Sequence, residues 1–408
     1  MADENLLQRV HDLSDLELAA LLSLIAREHC VITTPGDALD DLVEELKLIS
    51  TRTFGLSYAV VDCNPDTTLE DFATSLLLGK PQPQAQAQRT TPRSSSPHLT
   101  RTGIASNDYF PPQPATPSSS GGGGGGAPLS PLTPTGGSAT HAHIAHVVLA
   151  RNLGLAPKAV QIQALELLRT RRIFTRTSVH AAPKQFLFVA ALADDGDDDD
   201  DGEQHQQRGR RPGGGRLAPH LNDFFYVGHW HDPEDGFANL EDDGEEAETA
   251  STGSVVKKGG GGGAGSVVAG GFPEEGRDPV FSELDIATLA KLSREVQVDV
   301  DVLRYQMNIV SFLRMHRAVA GGITPTATKH FEQLMKSLAP LHGLDYVTPS
   351  LVGLAARKVY LHRVDIVTPE KERSMLWGSE LAAVQSILEG IGPDDVIEEV
   401  LAMVPAPL

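Results

Sequence analysis

The chain has 408 residues, enough for two compact domains, with 40% apolar and 5% aromatic residues and a formal net charge of -20. Such an excess of acid opposes binding to phosphate backbones, which requires Lys and Arg, so nucleic acid is not an expected partner. No run of ~18 apolar residues suits a membrane span. Cys30 and Cys63 sit in apolar, strand-like runs and read as buried, reduced thiols. The acidic start, Met1-Ala2-Asp3-Glu4-Asn5, lacks the apolar stretch of a secretory signal. The expected location is intracellular, cytoplasmic or nuclear.

In chain order, Leu13 to Arg27 carries helical spacing at Leu18, Leu21, Leu22 and Ile25. Cys30 to Thr33 reads as a short strand. Thr34-Pro35-Gly36-Asp37 reads as a turn, with Asp37 placed to cap the next helix, whose apolar face is Leu39, Leu42, Val43, Leu46 and Ile49. Ser57 to Asp62 and Ile144 to Ala150 read as strands, Ala159 to Arg171 as a helix and Phe186 to Leu192 as a fourth strand. Strands alternating with helices predict a parallel sheet covered on both faces. From Val280 the pattern turns helical: Leu284–Arg294, Val300–Ala318, Pro325–His342, Ser350–His362, Met375–Gly390 and Asp394–Met403. Three stretches, 80–140, 194–216 and 238–279, are rich in Gly, Pro, Ser or acid and bury too little apolar surface to offset their ordering entropy. They read as solvated insertions, and Arg208-Gly209-Arg210-Arg211-Pro212 within them as charge compensation.

A strand, a turn and a helix at the edge of a parallel sheet is where a phosphate loop would sit. That chemistry needs glycines around the phosphates, a Lys for their charge and a hydroxyl for Mg2+. The segment Val31 to Asp41 offers Pro35 and Gly36 but neither the Lys nor the hydroxyl, and Asp37, Asp40 and Asp41 would repel a triphosphate. Even so, His29 to Leu42 resembles the Walker A region of the MoxR and magnesium-chelatase I-subunit group of AAA+ proteins. Asn64 to Asp71 resembles the stretch after their second strand. Val147 to Gln161 is similar to their Walker B strand with its Ala-Pro turn, and Ala164 to Arg172 to the next helix. Ala182 to Ala190 is similar to the sensor 1 strand, Leu221-Asn222-Asp223-Phe224 to the arginine-finger segment, and Tyr305 to Val364 to the helical lid. Among such proteins the chain most resembles fungal magnesium-chelatase-like ones.

The resemblance implies an α/β fold: an AAA+, P-loop-like parallel core split by disordered insertions, then an all-α lid. The implied divisions are core at 1–79, 141–193 and 217–237, insertions at 80–140 and 194–216, a linker at 238–279, the lid at 280–367 and a helical extension at 368–408. It also exposes systematic departures. The Walker A Lys position falls at Leu39 and the Ser/Thr position at Asp40. The Walker B acidic pair falls at Arg151 and Asn152, the sensor 1 Asn at Ala193, the arginine finger at Asp223 and the sensor 2 Arg at Thr326. Phosphoryl transfer is positioning plus charge stabilisation, and these substitutions remove its parts. No catalytic residue, metal site or cofactor is expected, with ATP and Mg2+ implied by the resemblance alone. The leading expectation is a non-hydrolysing scaffold or regulatory subunit, oligomeric or partnered with active AAA+ subunits or a von Willebrand A-type protein. The alternatives are an ATP-dependent magnesium-chelatase subunit inserting Mg2+ into a porphyrin, and a nucleotide sensor.

Four other features draw notice. His141, His143 and His146 before a strand read as incidental to metal binding. Gly228-His229-Trp230-His231-Asp232 reads as a packed Trp in a hydrogen-bonded turn. Arg169, Arg171, Arg172 and Arg176 read either as a contact surface or as a solvated helix end. Met375, Leu376, Trp377, Leu381, Val384, Ile387 and Leu388 read as packing on the lid, or else docking on a partner.

Overall fold

The sheet is built by alternation. In the computed structural model, which describes residues 4–78, 142–176, 178–194, 217–241, 270–273 and 278–407, five parallel strands run β2-β5-β8-β1-β9. They are β1 (Cys30–Pro35), β2 (Tyr58–Asp62), β5 (Val147–Arg151), β8 (Leu187–Asp194) and β9 (Val227–Trp230). Successive residues enter opposite faces. Cys30, Ile32, Val147, Leu149 and Val189 join one apolar cluster; Val31, Val148, Phe188 and Ala190 join the other. The second cluster is closed by helices α4 (Leu69–Ser75) and α5 (Lys158–Thr170), which contribute Phe72, Val160, Ala164 and Leu167.

The first face is shared with the lid. Helices α2 (Asp15–Ala26) and α3 (Leu39–Leu48) pack on it, and α1 (Glu4–His11), α7 (Glu283–Glu295), α8 (Val300–Met315), α9 (Pro325–Leu341), α10 (Pro349–Tyr360), α11 (Leu381–Leu388) and α12 (Pro393–Met403) add their apolar sides to the same cluster. Leu21, Ile32 and Leu39 belong to the same contiguous core as Phe331, Val352 and Tyr360. Core and lid are therefore bound by burial, at about 1.5–3 kcal/mol per large side chain. Helix starts are well specified. Ser14 with Glu17, Thr68 with Asp71 and Ser282 with Asp285 form reciprocal capping boxes, while Asp299, Thr324 and Thr348 cap α8, α9 and α10.

Some expectations need correction. Thr34 and Pro35 are not a turn; they continue β1, paired with Ala193 and Asp194 of β8. Asp37 caps nothing, because it already lies inside a 3-10 turn, Gly36–Ala38, that leads straight into α3. The expected strand from Ile144 splits into β4 (His143–Ile144), paired with β3 (Leu77–Leu78), and β5. The helix expected over Met375–Gly390 is a short 3-10 stretch, Arg373–Trp377, then α11, because Gly378 takes the left-handed φ of 83°. Val384 and Leu388 pack there, whereas Leu376 and Trp377 are 86% and 88% exposed. Trp230 is likewise not packed; its neighbours His229 and His231 are the buried residues.

Both ends of the expected linker 238–279 are built into the core. Gly270–Gly271 forms β10, antiparallel on the edge of β2, and Phe281 donates its amide to Thr53. At the other end, the fully buried Glu45 of α3 accepts the backbone amides of Asn239 (3.1 Å) and Leu240 (2.9 Å) and the Asn239 amide group (2.9 Å). Buried Glu17 receives Thr53 Oγ1 at 2.6 Å and the Asn239 side chain at 3.3 Å. The insertion 80–140, His141, residues 195–216 with their Arg208–Arg211 cluster, and 242–269 lie outside the described residues.

These carboxylates account for local order that apolar burial alone does not. Glu45→Ala removes three hydrogen bonds to a buried carboxylate and leaves the Asn239 and Leu240 backbone amides unpaired, so it is expected to lower stability by about 2–4 kcal/mol. The check is the urea unfolding midpoint at constant slope; a loss under about 0.5 kcal/mol, the size of an ordinary surface substitution, would refute it.

Candidate functional site

The carboxyl ends of parallel strands form the crevice where α/β folds bind ligands. Here those ends are Pro35 of β1, Arg151 of β5, Asp62 of β2 and Asp194 of β8. Most of the positions singled out in sequence converge on this edge. The Arg151 guanidinium forms an ion pair with Asp40, at the start of α3, and its other nitrogen lies 3.8 Å from Asp62. Asn152 follows with a left-handed φ of 51°; its Oδ1 accepts the Ala193 amide at 3.2 Å and its own amide donates to Ala191 at 2.8 Å. Leu39 is buried in the core rather than aimed at the edge.

These residues do not fit a Mg2+-nucleotide. A phosphate loop needs free backbone amides in a turn between strand and helix. Here β1 stays in register with β8 to its last residue, Pro35, and the 3-10 turn begins at Gly36. Where a metal would need a hydroxyl and a carboxylate, there is a carboxylate already neutralised by an arginine. The two apolar substitutes, Leu39 and Ala193, supply no polar group.

Asp223 and Thr326 lie elsewhere, at the junction of core and lid. Asp223, at the end of α6 (Pro219–Asn222), accepts Thr324 Oγ1 at 2.6 Å and lies 3.5 Å from Arg363 Nε. Thr326 is in the first turn of α9, beside the cap Thr324, and does not reach the strand ends. Arg363 is the hub. It is 3% exposed and donates to the Val359 carbonyl (2.6 Å), the Asp223 carbonyl (3.2 Å), the Phe225 carbonyl and His330 Nδ1 (2.6 Å). Burial pushes its pKa down to about 10, with Asp223 acting against that. His362 bonds the Phe225 carbonyl at 3.0 Å, and Asn222 donates to the His362 carbonyl at 2.7 Å. Close approach requires small residues. A Cβ at Gly228 would sit 2.4 Å from His362 Nδ1, and Gly322, with φ of 96°, abuts the Arg363 carbonyl. Sequence reading passed over Arg363 as a site residue. Its signal was a cation in the turn just after α10, four residues after Val359.

Several of the remaining candidates have partners within the chain. His146 Nδ1 bonds Ser57 Oγ at 2.8 Å. Arg171 caps α5 in the left-handed region, donates to the Arg27 carbonyl at 2.6 Å and lies over the Phe186 ring. Arg176 is 3.9 Å from Glu70, and Arg169 and Arg172 are exposed. His229 Nδ1 faces Lys358 at 3.0 Å. Both cysteines are buried and free, with thiols pushed up to about 12 by burial. Among the described residues no group of three or more His, Cys, Asp or Glu could hold a metal, and no helix is long and apolar enough to cross a membrane.

Comparison with known proteins agrees with this architecture. Residues 311–385 match the AAA lid domain family. The chain also superposes on the crystal structure of a provisionally assigned ATPase from Cytophaga hutchinsonii ATCC 33406, with a TM-score of 0.55 at 12% identity, over 99% of this chain and 96% of that one. The chain has an α/β AAA+ fold with a helical lid. An uncharacterised Bacillus subtilis (strain 168) protein, YeaC, is 25% identical over 136 residues. That match spans 33% of this chain and 38% of the relative's length.

Two predictions concern the core–lid junction of this AAA+ fold. Arg363→Met removes the ion-pair partner of the part-buried Asp223 and leaves three carbonyls and His330 without their donor. A loss of about 3–5 kcal/mol is expected, read from urea unfolding; a variant within 1 kcal/mol of the parent would contradict the role given to Arg363.

The second concerns pH. Burial, aided by Arg171 at His29, Lys358 at His229 and Arg363 at His330, holds these three histidines down at about 3, and burial with Arg363 holds His362 well below its usual value. Between about 6.5 and 3 the unfolded chain binds protons that the folded chain does not, so stability falls as pH falls, by up to about 1.4 kcal/mol per histidine per pH unit. Glu28, raised to about 7 by burial, works the other way between 7 and 4.5, as one group against at least three. The urea midpoint should therefore drop steeply from pH 7 to pH 5; a flat or rising midpoint would exclude neutral buried histidines.

Proposed function

We propose that this chain is a non-hydrolysing AAA+ module of the MoxR and magnesium-chelatase I-subunit type, acting as a scaffold or regulatory subunit in a protein complex. The observation that carries the reading is the Asp40–Arg151 ion pair, placed where the resemblance puts the hydroxyl and carboxylate ligands of Mg2+. Asn152 supports it, because its side-chain oxygen is committed to the Ala193 amide rather than to a water nucleophile. The fold around these residues is kept intact, which suits a role that needs shape rather than turnover. Active AAA+ subunits or a von Willebrand A-type protein are the partners the resemblance favours. A chelatase subunit or a nucleotide sensor would have to hold a triphosphate against Asp37, Asp40 and Asp41, which repel it.

The test is phosphate release from ATP with Mg2+, alone and with a co-purified partner. Release is expected to stay at the no-protein blank, and complex formation to be indifferent to ATP and to Asp40→Ala. Turnover well above the blank that disappears when the Asp37–Asp41 turn is substituted would overturn the proposal.

A further inference from the structure

At the opposite end of β1 from Asp40 and Arg151, three helices leave a gap. The last turn of α2, the second half of α7 and the outer face of α9 border an open cleft of about 370 Å3. Ile25, Ala26 and Ala290 line it with apolar surface, while Arg294, Lys329 and Lys336 supply the charge. Gln333 donates to the Ala26 carbonyl at 2.9 Å and so holds α9 against α2.

The charge balance of this cavity is the opposite of the chain's. The sequence carries 54 acids against 34 bases, so a cation normally has a carboxylate at hand. The acid that lines the cavity, Glu332, is engaged by Lys336 at 2.6 Å. Arg294 and Lys329 have no carboxylate within ion-pair distance among the described residues. Two unpaired cations on separate helices thus face one space with an apolar wall.

We propose that this cavity binds a small phosphate-bearing molecule, its phosphate between Arg294 and Lys329 and its apolar part against Ile25, Ala26 and Ala290. A phosphate monoester dianion matches two cations, and its oxygens can take the arginine fork and the lysine together. A single carboxylate would leave one cation uncompensated. The site is separate from the strand-end positions and does not depend on whether the chain hydrolyses ATP. A bound ligand would clamp the lid helix α9 to α2, the helix that leads into β1.

The experiment is calorimetric titration of the full chain with phenyl phosphate and with inorganic pyrophosphate, with benzoate, citrate and sulfate as comparison arms. Saturable binding of the phosphate probes is expected, weakened about tenfold or more by Arg294→Gln and by Lys329→Gln, since one hydrogen bond to a charged group carries that much. Lys329→Arg should restore most of it, and Asp40→Ala should leave it unchanged. Both substituted side chains are exposed, and an unchanged thermal midpoint confirms folding. No saturable binding at millimolar probe, binding that survives both neutralisations, or equal binding of sulfate, benzoate or citrate would each overturn the proposal.

Discussion

A guanidinium in the protein interior is costly unless its charge and most of its donors are answered. Arg363 has hydrogen bonds from both terminal nitrogens, while its Nε has only the 3.5 Å ion-pair approach of Asp223, and the relation between core and lid depends on it. Its partners come from separate places: the preceding helix α10 through Val359, the segment before β9 through Asp223 and Phe225, and α9 through His330. Moving the lid would strip these partners from a charge that cannot reach water. The glycines at 228 and 322 follow from the same constraint, since they let β9 and the start of α9 close on His362 and Arg363. So does the neutrality of His330, whose Nδ1 must accept from Arg363 and therefore cannot carry a proton.

This anchor also bears on Asp223. The resemblance aligned it with an arginine finger, a side chain that would have to reach out from the chain. Its carboxylate instead turns inward, to Thr324 and Arg363.

What was legible in the sequence was whatever depends on period. Cys30 to Thr33, Leu39 to Ile49 and the helices after Val280 announced themselves by spacing, because one face of each is buried and the other is not. Their ends were less legible. Nothing in Thr34-Pro35 says that β8 runs alongside far enough to keep them in the sheet. Order that rests on buried carboxylates was hidden for a related reason. Asn239 and Leu240 sit in an acidic, turn-rich stretch, and only the fold brings Glu45, almost two hundred positions earlier, beneath them. The same is true of the strand-end site. Each departure from the nucleotide motifs could be read singly, but the contact of Asp40 with Arg151, and of Asn152 with Ala193, exists only once α3, β5 and β8 are adjacent.

That adjacency changes what the substitutions mean. Under the resemblance, a carboxylate at 40 and an arginine at 151 would each be a loss taken singly; in the structure the two charges compensate each other. Restoring a carboxylate alone, by Arg151→Asp, would bring three acids together at positions 40, 62 and 151. Restoring a hydroxyl alone, by Asp40→Thr, would leave Arg151 with only the more distant Asp62. At this exposure each single step is unfavourable by no more than about 1 kcal/mol. The backbone sets a larger constraint: β1 stays in register with β8 as far as Pro35, and α3 follows one 3-10 turn later with Leu39 buried beneath it. A phosphate loop at this edge would have to be made by unzipping strand and unburying core, a larger change than the exchange of the charges.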